Sequence, residues 1–152
     1  MSPGFQPQEP LQFILFFTGI WFFVSFNISY MGWRAFAKRY PAPIRPAGTV
    51  YTSPATRFGN FFARYGNVIQ IIFAETGVYF YVVFLFRPFH PPFLLPWGSV
   101  KNIEKKTLLF WSRYQMNVED LAGKIRVALP VRIEHDPLWC RKVAAGLDGC
   151  QS

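Results

Sequence analysis

The sequence predicts a single-pass membrane protein: one amino-terminal transmembrane α-helix, then a small, mainly-β cytoplasmic domain that ends in a short helix. Three observations predict it. The stretch Leu11–Trp33, LQFILFFTGIWFFVSFNISYMGW, carries no charged residue, and at the helical rise about 23 residues cross a bilayer core with a little tilt. Directly after it come Arg34, Lys38, Arg39, Arg45, Arg57 and Arg64, with no acid before Glu75. From Asn67 onward the pattern changes to short runs of β-branched and aromatic residues broken by turn signals.

Taken in order, residues 1–10 form an outside tail containing Glu9 but no Lys or Arg. A secretory signal peptide requires a basic n-region, so the apolar segment reads as an uncleaved anchor. Pro10 suits the first turn of the helix. The transmembrane helix, 11–33, is apolar on all sides, which excludes a helix lying in the plane of the membrane surface. Thr18, Ser25, Ser29 and Gly32 project close together at 100° per residue, a stripe of small residues on which another helix can pack closely. Asn27 points to the opposite side, where its amide needs a partner or must reach the headgroups. Tyr30 and Trp33 are amphipathic rings suited to the membrane interface, and the cations Arg34, Lys38, Arg39, Arg45, Arg57 and Arg64 follow them. The positive-inside rule then sets the amino terminus outside and the main domain in the cytoplasm, on the inner (cytoplasmic) membrane of a bacterium.

Residues 34–66 read as a basic and aromatic juxtamembrane linker. The prolines and glycine of YPAPIRPAGTVYTSP stop the helix, and TRFGNFFARYGN interleaves Arg57 and Arg64 with Phe58, Phe61, Phe62 and Tyr65. Such a mixture suits anionic headgroups, and equally an edge strand of the domain. In the 152-residue chain the net charge of +8 points the same way, to acidic lipid or protein surfaces. Cys140 and Cys150 form no CxxC pair and no CaaX box, so two reduced thiols are expected.

The domain itself is assigned to residues 67–146, with a tail over 147–152. Val68–Ala74 and Val78–Phe86 form a hairpin across Glu75-Thr76-Gly77, where the glycine is available for positive φ. A second membrane span over Val68–Phe86 competes, but Gln70, Glu75 and Gly77 interrupt it and the remaining run is about half the required length. Phe93–Trp97, Leu108–Trp111, Tyr114–Val118 and Ile125–Val131 are further strands, connected at Pro91-Pro92, Gly98-Ser99, Lys105-Lys106 and Gly123-Lys124. Asp136 as N-cap, Pro137 at N1 and Gly146 as stop mark one short helix around Leu138–Ala145.

Glu75-Thr76-Gly77-Val78-Tyr79, followed by Phe93-Leu94-Leu95-Pro96-Trp97 with Val100 and Ile103, resembles the pattern of GRAM and bacterial pleckstrin-homology-like domains. That pattern has an acidic-glycine turn, a strand with Gly-x-Tyr, and an Ile-Pro-Trp-x-x-Ile strand. The resemblance covers roughly Asn67 to Ala145. It implies a seven-stranded, partly open (PH-like) barrel plugged by its carboxy-terminal helix, serving as a lipid-binding or protein-docking module. In that family a basic motif in the first hairpin loop binds phosphoinositides. Glu75-Thr76-Gly77, the loop equated with it here, contains no cation.

His90 and His135 lack ligand-spaced partners, and no GxGxxG, Walker loop or GxSxG occurs. The reading is therefore of a protein that is not an enzyme, with no catalytic, cofactor-binding or metal-ligating residues, no cofactor, no nucleic acid partner and no small-molecule substrate. Two functions are expected. One is a non-catalytic accessory or scaffolding subunit of a larger bacterial membrane complex of respiratory or photosynthetic type, packed on other transmembrane subunits and capping their cytoplasmic face. The other is a membrane-anchored PH/GRAM-like module that binds anionic lipid headgroups.

Overall fold

The computed structural model describes residues 9–59 and 64–143. Residues 1–8 of the expected tail, Phe61 and Phe62, the stop at Gly146, Cys150 and the segment 147–152 lie outside the described residues.

Helix α1 covers Glu9–Ile28. Pro10–Ile28 is long and apolar enough to cross a membrane, and only 6% of it is buried. The helical path continues through a π-helical turn, Ser29–Trp33, into α2, Arg34–Arg39. The break falls at Gly32, whose φ of +155° strains any side chain, and where an added Cβ would stand 2.6 Å from the Phe58 Cβ. The chain therefore bends where it meets its own domain. Trp33 is fully buried there, with its indole Nε1 donating to the Pro91 carbonyl at 2.8 Å. The expected span to Trp33 is accordingly shortened, because its last turn belongs to the domain core.

Among the described residues nine strands follow: β1 Val50–Thr52, β2 Ala55–Phe58, β3 Arg64–Tyr65, β4 Ile69–Phe73, β5 Gly77–Val82, β6 Phe93–Pro96, β7 Val100–Leu108, β8 Trp111–Asp120 and β9 Gly123–Pro130. They make a four-stranded sheet, β1-β4-β5-β6, and a five-stranded sheet, β3-β2-β9-β8-β7, antiparallel throughout. Ser53, between β1 and β2, stitches the sheets together. Its N–H donates to the Ile69 carbonyl at 2.9 Å in the first, and its hydroxyl to the Ala128 carbonyl at 2.8 Å in the second. Helix α3, Pro137–Val143, seats Trp139 between the sheets, against Phe73 of one and Tyr114 of the other. Asp136 caps it as expected: Oδ1 accepts from the N–H groups of Leu138 and Trp139 at 2.9 and 3.1 Å, while the Tyr51 hydroxyl donates to Oδ2 at 3.0 Å.

Several expectations change. The segment 34–66 is not a plain linker, since it supplies α2 and three strands, and Trp33, Phe36, Tyr51, Phe58 and Tyr65 all enter the main core. Every residue of β5 is buried, because Val78, Phe80 and Val82 face the main core while Tyr79 and Tyr81 pack with Ile72 under Ala42 and Leu94. That strand ends at Val82, not Phe86; Phe84–Phe89 forms a 3-10 turn. Gly77 does not adopt positive φ. It is there because an added Cβ would lie 2.0 Å from the Leu95 carbonyl oxygen across the β5–β6 ladder. Leu108–Trp111 is the reversal between β7 and β8 rather than a strand, with Leu109 at φ +51°. Lys105 and Lys106 lie within β7, a strand too exposed to show hydrophobic alternation. Cys140 is disulfide-bonded, against the expected pair of free thiols.

Candidate functional site

The outer face of the five-stranded sheet concentrates positive charge. Arg57 on β2 is the direct cross-strand neighbour of both Arg64 on β3 and Arg126 on β9. Residues so placed have Cβ atoms about 5 Å apart, and like charges there destabilise a sheet. Four residues before Asn117, the β8 partner of Arg126, Arg113 pairs with Lys106 on β7. All five cations line one shallow cavity of about 210 Å³, together with Gln115 and the small residues Ala55 and Ala128. The two alanines leave its floor open, and no carboxylate lines it. Among the described residues, no ion pair or side-chain hydrogen bond engages Arg57, Arg64, Arg113 or Arg126. Of the nearby acids, Glu104 bonds Asn102 and lies 3.9 Å from Lys106, one of the five cations, while Glu119 pairs with Lys124.

Guanidinium groups in this arrangement present forked donors that match phosphate oxygens. The volume is below that of pockets that enclose whole metabolites, so a phosphate-sized group fits it better than a substrate. Its end nearest α1 is fixed by Phe58, one residue from Arg57, which packs on Trp33 with ring centroids 5.5 Å apart.

The other residues singled out by sequence lie apart from this face. Ser25 and Ser29 are buried and Gly32 abuts Phe58, so three members of the small-residue stripe meet this chain's own domain. The Ser29 hydroxyl donates to the Phe89 carbonyl. Thr18 remains exposed, and the Asn27 amide donates to the Phe23 carbonyl at 2.7 Å. Tyr30 is exposed, with the Arg34 guanidinium 5.4 Å from its ring centroid. Lys38 is exposed, Arg39 pairs with Asp120 at 2.9 Å, and Arg45 sits 5.0 Å over the Tyr81 ring. Of the expected basic set, the fold brings only Arg57 and Arg64 together. Lys106, Arg113 and Arg126 escaped the sequence reading, though Lys124 and Arg126 alternating with buried Ile125 and Val127 already marked an outward basic face.

His90 is buried, with Nδ1 2.9 Å from the Phe86 carbonyl and Nε2 3.1 Å from the Tyr65 hydroxyl. Burial lowers its pKa, and the bond to Phe86 partly opposes this. Burial also raises the Tyr65 phenol well above its ordinary value, and burial with Asp136 beside it pushes Tyr51 up to about 12. Glu134 is held below its ordinary value by hydrogen bonds from Lys105 and Tyr114. Among the described residues no cluster of His, Cys, Asp and Glu is arranged to hold a metal ion.

Comparison with protein-family models, with curated proteins and with solved structures finds no match to this chain.

Proposed function

We propose that this protein is a membrane-anchored, non-catalytic binding module: α1 spans the inner membrane, and the row Arg64-Arg57-Arg126 holds the phosphate of an anionic lipid headgroup. The observation that carries this reading is three arginines in adjacent cross-strand positions with no acid to offset them. An anion there turns mutual repulsion into attraction. Gly32, which abuts Phe58, lies four residues past Ile28, about 6 Å along the helical path. A headgroup at the membrane surface is therefore within reach.

Strand order supports a PH-like barrel. Read around the domain it runs β7-β8-β9-β2 in one sheet and β1-β4-β5-β6 in the other, the chain passing from β1 to β2 through Ser53-Pro54; β3 borders β2, and β6 and β7 are the far edges. In this topology the first hairpin lies between β2 and β3, and Arg57 and Arg64 flank it. On this reading Arg57 and Arg64 take the part of the cations that Glu75-Thr76-Gly77 lacks.

The test uses the full chain in neutral detergent, titrated with short-chain phosphatidylglycerol or phosphatidylcholine while its unfolding is followed. Phosphatidylglycerol is expected to raise the transition, by about 2.7 kcal/mol at a hundredfold excess over Kd. Arg57→Gln with Arg126→Gln, or high salt, should abolish the rise. Equal stabilisation by both lipids refutes the reading.

A second reading, the accessory subunit of a larger membrane complex, is favoured by one feature. Leu108, Leu109, Phe110 and Trp111 are all strongly exposed at the β7–β8 tip, Phe110 at 94%. On this reading the tip docks on a protein. Gentle extraction should then recover a partner with the wild-type chain and lose it with Phe110→Ser.

A further inference from the structure

The β5–β6 connection climbs alongside α1. Phe86 packs on Trp21 with centroids 5.7 Å apart, and Phe89 packs on Phe22 and Phe26 at 5.7 and 5.8 Å. Trp21 lies seven residues before Ile28, about 10 Å up the helix. The turn thus rises beside the lower part of Pro10–Ile28, the stretch apolar enough to cross a membrane. Its leading side chains point away from both helix and domain: Phe84 is 85% exposed and Leu85 59%. Adjacent apolar side chains beside an apolar helix form one continuous hydrophobic surface.

The polar groups of this region are collected at one level. Arg34 and Arg87 line a cavity of about 290 Å³ with Phe26, Ser29, Pro88, Phe89 and Pro91. The Arg34 guanidinium lies 5.9 and 5.4 Å from the ring centroids of Phe26 and Tyr30. Aromatic rings with cations beside them are the usual composition of the headgroup level. Apolar tips beyond a cationic base are the polarity gradient of an element dipped into one leaflet.

We propose that Phe84–Phe89 is a second membrane-embedded element. Phe84 and Leu85 lie among lipid acyl chains beside α1, and Arg34 and Arg87 lie at headgroup level. This rests on reading α1 as the span, and it is independent of any ligand on the sheet face. The consequence is mechanical. A domain held by a helix and by a loop packed on that helix cannot swivel freely, so its arginine face keeps a fixed height above the bilayer.

The experiment is photocrosslinking of the full chain in phospholipid vesicles, with Phe84→p-benzoylphenylalanine, Leu85→p-benzoylphenylalanine and, on the span, Leu15→p-benzoylphenylalanine. The expected result is a mass increase of one phospholipid at all three positions. Lipid adducts at 15 but not at 84 or 85 overturn the proposal and leave the span standing. Crosslinks from 84 or 85 to a second copy of the chain also overturn it, assigning the surface to a dimer. Absence of lipid adducts at all three positions removes the span, and the proposal with it.

Discussion

His90 sits where α1, β3 and the β5–β6 connection converge, and burial lowers its pKa, favouring the neutral imidazole. Nδ1–H donates to the Phe86 carbonyl, which can only accept, leaving Nε2 to face the Tyr65 hydroxyl. That hydroxyl is also 3.1 Å from the Ile28 carbonyl, so the cluster ties the helix end to the domain. Because the folded-state pKa is lowered from an ordinary value near 6.5, the unfolded chain takes up a proton first as pH falls. Stability from this residue is complete above about pH 6.5 and declines below it, until the folded form also protonates. Thermal unfolding from pH 8 to pH 5 should show the midpoint falling below about pH 6.5, and His90→Gln should flatten that part of the curve. Glu134 titrates in a separate window: its carboxylate pKa is lowered, so its contribution is lost only at more acidic pH. The lack of ligand-spaced partners for His90 was legible in the sequence, whereas its contact with Tyr65 was not, since only folding brings residues so far apart in sequence together.

Among the elements, the most consequential misreading concerns α2 and the segment after it. Proline-rich sequence beside a membrane looks like a tether, yet Tyr40–Ala42 extends the first sheet: the Leu94 N–H donates to the Tyr40 carbonyl at 3.0 Å, and the Ala42 N–H to the Pro92 carbonyl at 3.3 Å. Trp33 and Phe36 fill the core against Phe58 and Phe93. Strands β4, β5 and β6 were legible because their residues are β-branched or aromatic. Strand β7 was not, because VKNIEKKTL stabilises its ladder through backbone pairing and cross-strand polar contacts rather than burial. Losing a fully buried Trp or Phe costs about 3–5 kcal/mol each, and a whole domain is stable by only about 5–15 kcal/mol. A fragment of residues 29–152 should therefore show the near-ultraviolet circular dichroism of fixed aromatic packing. One of residues 41–152, lacking Trp33 and Phe36, should lose it. Equal spectra for the two would show that the domain does not depend on the helix's last turns.

For the whole molecule, charge and cysteine chemistry pull the orientation in opposite directions. The cations from Arg34 to Arg64 cluster on one side of the apolar helix, and by the positive-inside rule such a bias favours a cytoplasmic domain. Folding leaves much of that bias in place, because Arg34, Lys38, Arg57 and Arg64 form no ion pair with a described residue. The bonded state of Cys140 belongs instead to an oxidising compartment. On the proposed orientation the charges decide, because topology is set during insertion, before any disulfide forms. A fluorescent protein fused to the carboxy terminus in a bacterial host should therefore be bright, and an alkaline phosphatase fusion inactive. A dark fluorescent fusion and an active phosphatase would reverse the orientation. That outcome would move the arginine row to the outer leaflet and leave the proposed phosphate site intact, since the row is set by strand register and not by the side of the membrane it faces.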